Sequence, residues 1–199
     1  MDSFQLTAMS PLGGYEQTFA DTKVTEIPEL AIVSISVPRD GLGAVNEALD
    51  SRWHVTFPDI GQCRHISSIK LTDTVCTGNL VGLQADQCFM VVDPGKNSTH
   101  SIVEHICSAL DSSAYLSDQS DSWAVLDITG PLALKALERI CMLDLVSMKS
   151  ESAARTTMDH LSVIIEKNRH HSFKLYSPRS SAISFLHTVT TSLHNVMEM

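Results

Sequence analysis

Hydrophobic and polar positions along the 199-residue chain fall into short segments of two periods. From Leu30 to Val37, Ile32, Ser34 and Ser36 alternate with Val33, Ile35 and Val37, the period of a strand, and Pro38 stops it. Gly41–Leu49 follows as a helix with Leu42, Val45 and Leu49 on one side. The weakly patterned region 51–82 is expected to hold a strand near Arg64–Leu71 and a loop through Thr72–Gly78. Cys88–Val92 is a second clear strand, and Asp93-Pro94-Gly95 is turn chemistry. Asn97, Ser98 or Thr99 caps the next helix, where Ile102, Val103, Ile106, Cys107 and Leu110 have the spacing of one buried stripe.

The second half repeats this order. Trp123–Ile128 reads as a strand and Thr129-Gly130-Pro131 as a turn, with Pro131 at the first helical position. The helix runs to Met142 and buries Leu134, Leu137, Ile140 and Cys141. After a loop, Leu161–Ile165 and Phe173–Tyr176 read as strands. A closing helix puts Ile183, Leu186, Val189, Leu193 and Val196 on its inner side. The expectation is an α+β fold of two pseudo-repeated β-α-β-β-α halves, about 30–112 and 113–199, with mixed or antiparallel sheets covered by helices. Pro38 and Pro131 play equivalent parts in it, as do Phe89 and Phe173. The first 25 residues are polar, contain Pro11, Gly13 and Gly14, and read as an extended or loosely docked arm on a single domain spanning 26–199.

Composition excludes several classes. With 43% hydrophobic and 19% charged residues, the chain is globular rather than disordered. A net charge of −9 with no cluster of Lys and Arg argues against nucleic acid and anionic membrane surfaces. The start, Met1-Asp2-Ser3-Phe4-Gln5-Leu6, has neither the basic nor the apolar part of a signal peptide, and no apolar run is long enough to span a membrane. The five cysteines are irregularly spaced, and Cys88, Cys107 and Cys141 sit among apolar neighbours as reduced thiols do. The expected location is cytoplasmic.

Candidate chemistry is thin. Gly41-Leu42-Gly43-Ala44-Val45-Asn46 follows a strand and opens a helix, as a dinucleotide fingerprint does, but Asn46 occupies the third glycine position and no regular βαβ crossover follows. The nine histidines include the groups Cys63-Arg64-His65, His105-Ile106-Cys107 and His170-His171, none with metal-ligand spacing. Asp118, Asp121 and Asp127 are candidate carboxylates for acid–base work. Asp118 and Asp121 also read as turn residues around Gln119-Ser120, and Asp127 as a solvated strand position. Asn97-Ser98-Thr99 matches a glycosylation sequon but serves as a helix cap in a cytoplasmic chain. No catalytic, cofactor-binding or metal-binding residue is assigned.

The stretch Ala114-Tyr115-Leu116-Ser117-Asp118-Gln119-Ser120-Asp121-Ser122-Trp123, then Leu126-Asp127-Ile128-Thr129-Gly130-Pro131 and Cys141-Met142-Leu143-Asp144-Leu145, resembles the sarcosine oxidase gamma subunit family. That family carries a strand, a Ser/Thr-Gly-Pro turn, a Leu-rich helix and a Cys-Pro-Leu-Asp-Leu close. Arg155-Thr156 through Ile165, Phe173–Tyr176 and Arg179-Ser180 are similar to its later segments. Ser10-Pro11-Leu12 and Gly82–Phe89 are similar to its earlier ones. The chain departs at Met142, where proline is usual, and at Cys88, where an aromatic residue is usual; both changes are conservative for packing.

The resemblance implies a fold like the folate-binding domain of the glycine cleavage aminomethyltransferase. It implies a subunit without catalytic residues in a complex of four different subunits, alpha, beta, gamma and delta, that demethylates sarcosine to glycine, formaldehyde or methylene-tetrahydrofolate, and hydrogen peroxide. FAD, FMN, NAD, tetrahydrofolate and zinc would be held by the other subunits, and the gamma subunit would pack chiefly on alpha. Two alternatives stand beside it. One is a free-standing folate-binding or aminomethyl-transferring protein using Asp118, Asp121 or Asp127. The other is the gamma subunit of a related complex acting on another N-methyl amino acid.

Overall fold

In the computed structural model, which describes residues 9–71 and 74–198, strands and helices alternate in two blocks. The first runs β1 (Glu16–Phe19), β2 (Thr22–Glu26), β3 (Ala31–Ser36), α1 (Leu42–Trp53), β4 (Cys63–Lys70), β5 (Val75–Gly82), β6 (Gln87–Asp93), α2 (Thr99–Leu110) and β7 (Tyr115–Asp118). The second runs β8 (Trp123–Thr129), α3 (Ala133–Glu138), β9 (Ser152–Met158), β10 (Leu161–Arg169), β11 (Ser172–Pro178) and α4 (Ala182–Met197). The opening Met1–Leu6 and the rest of the first eight residues lie outside the described residues, as do Thr72 and Asp73 of the expected loop and the terminal Met199.

The strands form a five-stranded sheet in the order β4-β5-β6-β3-β7 and a six-stranded sheet in the order β1-β2-β8-β11-β10-β9. Every pairing is antiparallel. Period-two alternation decides the layers, because successive side chains leave a strand on opposite faces. On β3, Ala31, Val33 and Ile35 join the core beneath α1 and α2, while Ile32, with Leu30 just before the strand, faces the other sheet. On β8, Leu126 and Ile128 pack under α3 and α4, while Val125 faces inward. The result is four layers, helices–sheet–sheet–helices, with an apolar core in each of the three gaps. Antiparallel sheets commonly have one solvated face; here both faces are covered, so β6 and β10 read as nearly continuous hydrophobic runs.

Several expectations need correction. Each helix pair is separated by three strands rather than two, giving β-α-β-β-β-α in both halves. Val75–Gly78, expected as loop, belongs to β5, whose small and polar residues Thr77, Gly78 and Asn79 hide the alternation. β7 and β9 were not anticipated: both are sheet-edge strands and carry few large apolar residues. The third helix stops at Glu138 instead of Met142, because the chain turns at Ile140 so that Cys141 can bridge to Met158 at the end of β9. In α1 the buried residues are Val45, Leu49 and Trp53, and Leu42 is exposed. In α4 Ile183 is 75% exposed, and Phe185 takes the inner position instead. Phe89 and Phe173 are not equivalent either. Phe89 lies between the sheets and Phe173 beneath the helices.

Residues 16–26, part of the expected loose arm, form a hairpin that extends the six-stranded sheet through β2 and β8. Phe19 and Val24 enter the core under α4. The segment before the hairpin is held by the buried carboxylate of Glu26. It accepts bonds from the backbone N–H groups of Leu12 at 2.9 Å and Gly14 at 2.7 Å, and from the Ser10 hydroxyl at 2.9 Å.

Candidate functional site

The sequence-derived candidates are spread over the molecule. Asn46 of the glycine-containing turn accepts a bond from the Phe57 backbone N–H at 2.7 Å and thereby ties the loop after α1 to the helix. A dinucleotide site needs a parallel βαβ crossover, and α1 connects strands in a sheet whose pairings are all antiparallel. Ser98 is the cap of α2, its hydroxyl accepting from the Ser101 N–H at 3.1 Å. Asn97 instead bonds the Pro94 carbonyl and the Cys76 sulfur. His170 and His171 stack edge to face at a hairpin, with ring nitrogens 2.9 Å apart. Among the described residues, no three His, Cys, Asp or Glu side chains converge as metal ligands would.

Two of the three aspartates share a cleft. Asp118 and Asp121 line a polar cleft of about 470 Å³ between the segment around Met9, the start of α2 and the β7–β8 turn, with Glu29, His100 and Arg179 on its walls. Asp118 accepts from the Ser120 hydroxyl at 2.6 Å and its N–H at 2.9 Å, and the Ser120 oxygen accepts from the Ile32 N–H. These bonds make Asp118 the organiser of the turn. Asp121 is fully exposed, 3.5 Å from Arg179, whose other nitrogen donates to the Met9 carbonyl at 2.8 Å. An exposed pair at that distance contributes little energy, roughly 0–1 kcal/mol.

Asp127 lies elsewhere, on the inner face of the six-stranded sheet. Register places Thr25, Asp127, Lys174, Glu166 and Ala153 in one cross-strand row. Charges along the row alternate from Asp127 through Lys174 to Glu166, an arrangement that favours neighbouring strands. The Glu166 carboxylate, missed by the sequence reading because the strand was ended at Ile165, is buried between the two sheets. It accepts from the Tyr176 hydroxyl at 2.8 Å and from the Asn79 amide of the opposite sheet at 2.9 Å. Burial, then the Glu166 charge, pushes the Tyr176 hydroxyl well above the usual phenol range. Burial and the same charge also raise the neighbouring Cys63 thiol, against a smaller opposing effect of Lys174. Lys167, pointing to the other face, donates to the carbonyls of Leu145 and Met148 at 2.6 and 2.7 Å and pins the 141–151 loop.

These geometries assign structural work to most polar candidates. Glu166 and Tyr176 are sealed between sheets, Asp118 is engaged by its own turn, and the cleft beside Asp121 and Arg179 is the polar concavity left to a ligand among the sequence-derived residues. The sequence held two signals for the interior knot. Glu166 continues the period of Ile164, and Tyr176 needs a partner for its hydroxyl in a buried strand.

No family model matches the chain, and no curated protein sequence matches it. Solved structures do. A chain of the heterotetrameric sarcosine oxidase from Corynebacterium sp. U-96, in complex with pyrrole 2-carboxylate, is similar over 96% of this chain and 96% of that one, with a TM-score of 0.76 and 15% identity. The glycine cleavage system aminomethyltransferase T from Bartonella henselae is similar over 86% of this chain and 46% of that one, with a TM-score of 0.67 and 17% identity. At these identities the likeness establishes the fold: the α+β architecture of two antiparallel sheets and four helices is one that these two enzymes contain. Among the described residues, no helix is long and apolar enough to cross a membrane.

Proposed function

We propose that the chain is a non-catalytic gamma subunit of a heterotetrameric, sarcosine-oxidase-type complex. The observation that carries this reading is the end-to-end correspondence, 96% of each chain, with a chain of such a complex. The aminomethyltransferase is matched over less than half its length. In this reading FAD, FMN, NAD, tetrahydrofolate and zinc belong to partner subunits, alpha is the main contact, and the complex works in the cytoplasm. The β1–β2 hairpin belongs to one domain with the strands and helices that follow, and the two halves of that domain are duplicated. The equivalent strand orders β4-β5-β6-β3 and β9-β10-β11-β8 support the duplication.

The surface offers apolar side chains for docking. Met142 is 86% exposed and Val146 64%, on a loop that forms a shallow groove with Gly61. Ile60, which precedes Gly61 in the chain, is exposed as well. Such residues favour association where polar residues surround them.

Tagging the chain in its own cells and purifying it under mild conditions tests the proposal. The expected eluate contains a large flavoprotein and produces peroxide when sarcosine is added. Recovery of a stable monomer with neither property overturns it. Activity with another N-methyl amino acid but not sarcosine assigns the chain to a sister complex.

The cleft holding Asp118, Asp121 and Arg179, with the aminomethyltransferase likeness, favours a second reading as a free-standing folate-binding protein. Tetrahydrofolate would then raise the melting temperature of the isolated chain by a few degrees, since a ligand at 100 times its Kd adds about 2.7 kcal/mol. The gamma-subunit reading expects no shift.

A further inference from the structure

A second concavity, remote from the aspartates in sequence, has a different character. It is a cleft of about 440 Å³ at the β4 edge of the five-stranded sheet, where the end of α1 and the side of α2 meet that strand. Arg52, His54, His65, Lys70 and His105 line it, and no carboxylate does. In a chain with 23 acidic and 14 basic residues, such a concentration of basic side chains without a carboxylate is a marked local inversion of charge.

Three structural features build this lining. The β4–β5 register shifts between Ile66 and Ile69, yet both isoleucines are fully buried. The bulge therefore leaves Ser67 and Ser68 between them, and both line the cleft. His54 ends α1 in the left-handed conformation, φ 55°, and its N–H closes on the Asp50 carbonyl, while the buried Trp53 forms part of the wall. His65 is oriented from behind. The Asn79 amide donates to Glu166, so its oxygen accepts from His65 Nδ1 at 3.1 Å. The free ring nitrogen of His65 is then Nε2. Among the described residues, neither Arg52 nor Lys70 has an ion-pair partner.

We infer that this cleft is a binding site for a phosphate dianion, free or carried on a small organic molecule. Arg52 and Lys70 supply fixed charge, and the two serine hydroxyls and the ring N–H groups of the histidines supply further donors. A phosphate oxyanion accepts bonds from every one of these groups, and charge-assisted bonds of this kind are the strong ones. The three histidines do not converge closely enough to hold a metal ion, which separates this site from a metal centre.

The test uses the full chain, titrated by calorimetry at fixed chloride with inorganic phosphate in one arm and glycerol phosphate in the other. The variants are the double substitution Arg52→Gln with Lys70→Gln, and Lys96→Gln as a charge-loss control outside the cleft. The substituted side chains are exposed, so melting temperatures without ligand should match. Binding in either arm is expected to weaken by about ten-fold to a hundred-fold in the double variant, the loss of one charged hydrogen bond or slightly more, and to persist in the control. Tighter binding of glycerol phosphate assigns the site to an organic phosphate, and equal binding to the free ion. Heat absent in both arms, or equal affinity in the double variant and the wild type, overturns the inference.

Discussion

The hydroxyl of Tyr176 donates to the carboxylate of Glu166 across 2.8 Å, and each residue is only 1% exposed. Asn79 reaches the same carboxylate from the opposite sheet. A single acidic side chain therefore joins β10 and β11 to β5 through the middle of the apolar gap. A buried carboxylate is costly to desolvate unless its lone pairs are satisfied, which makes the two donors a condition of the fold.

Tyr176→Phe keeps the ring and removes one donor. The expected loss is about 1–3 kcal/mol in urea unfolding, because an acceptor is left buried and unpaired. Replacing Glu166 by Gln in the Phe variant should return part of that loss by removing the charge. A Phe variant as stable as wild type would show that water supplies the missing bond.

Gly130 and Gly43 predict opposite signs for the same change. Gly130 sits at φ 139°, and an added Cβ would press on the Asp21 carbonyl and the Thr22 backbone. Gly130→Ala should destabilise by about 1–3 kcal/mol or more and loosen the β1–β2 hairpin. Gly43 is inside α1 with open space at the Cβ position, so Gly43→Ala should stabilise by about 0.5–1 kcal/mol. Thermal melts of the two variants against wild type decide both.

Glu26→Ala removes the acceptor that gathers Ser10, Leu12 and Gly14. Amide exchange at Leu12 and Gly14 should accelerate well before exchange in β8. Stability should fall by about 1–3 kcal/mol, since partly buried N–H groups lose a charged acceptor. Unchanged protection at these amides would mean that the hairpin alone orders the segment.

Burial raises the thiols of Cys88 and Cys63 and the hydroxyl of Tyr176 above their ordinary values. Each group holds its proton more tightly folded than unfolded. The unfolded chain therefore deprotonates first, and stability is fully present below the ordinary thiol range and declines as pH rises through it. Denaturant midpoints measured from neutral to alkaline pH should show that decline. Alkylation of Cys88 in the native protein should be far slower than in the unfolded chain, because the thiolate is the nucleophile. Equal rates in both states would contradict its burial.

Long stripes were the legible part of the sequence. The helix over Ile102–Leu110 and the cores of β3, β6, β8, β10 and β11 follow from periodicity, since burying one face of an element leaves a repeating mark on consecutive residues. Edge strands such as Ser152–Met158 bear little of that mark, because their pairing relies on backbone bonds to one neighbour and few large side chains. Ile183 failed for a related reason. A helix with apolar residues on two adjacent faces does not say which face meets the sheet, and Phe185 won the inner position through its contact with the six-stranded sheet's core.

By itself the sequence determined the class, an α+β chain with strands and helices interspersed along its length. Local periodicity and turn chemistry suffice for that. Only the tertiary structure decided which polar residues come together: Asn79 with Glu166, Asp121 with Arg179, and His54, His65 and His105 around one cleft. Those partners lie tens of residues apart, and sheet order and the bulge at Ser67–Ser68 set their proximity. Neither leaves a periodic trace in the chain.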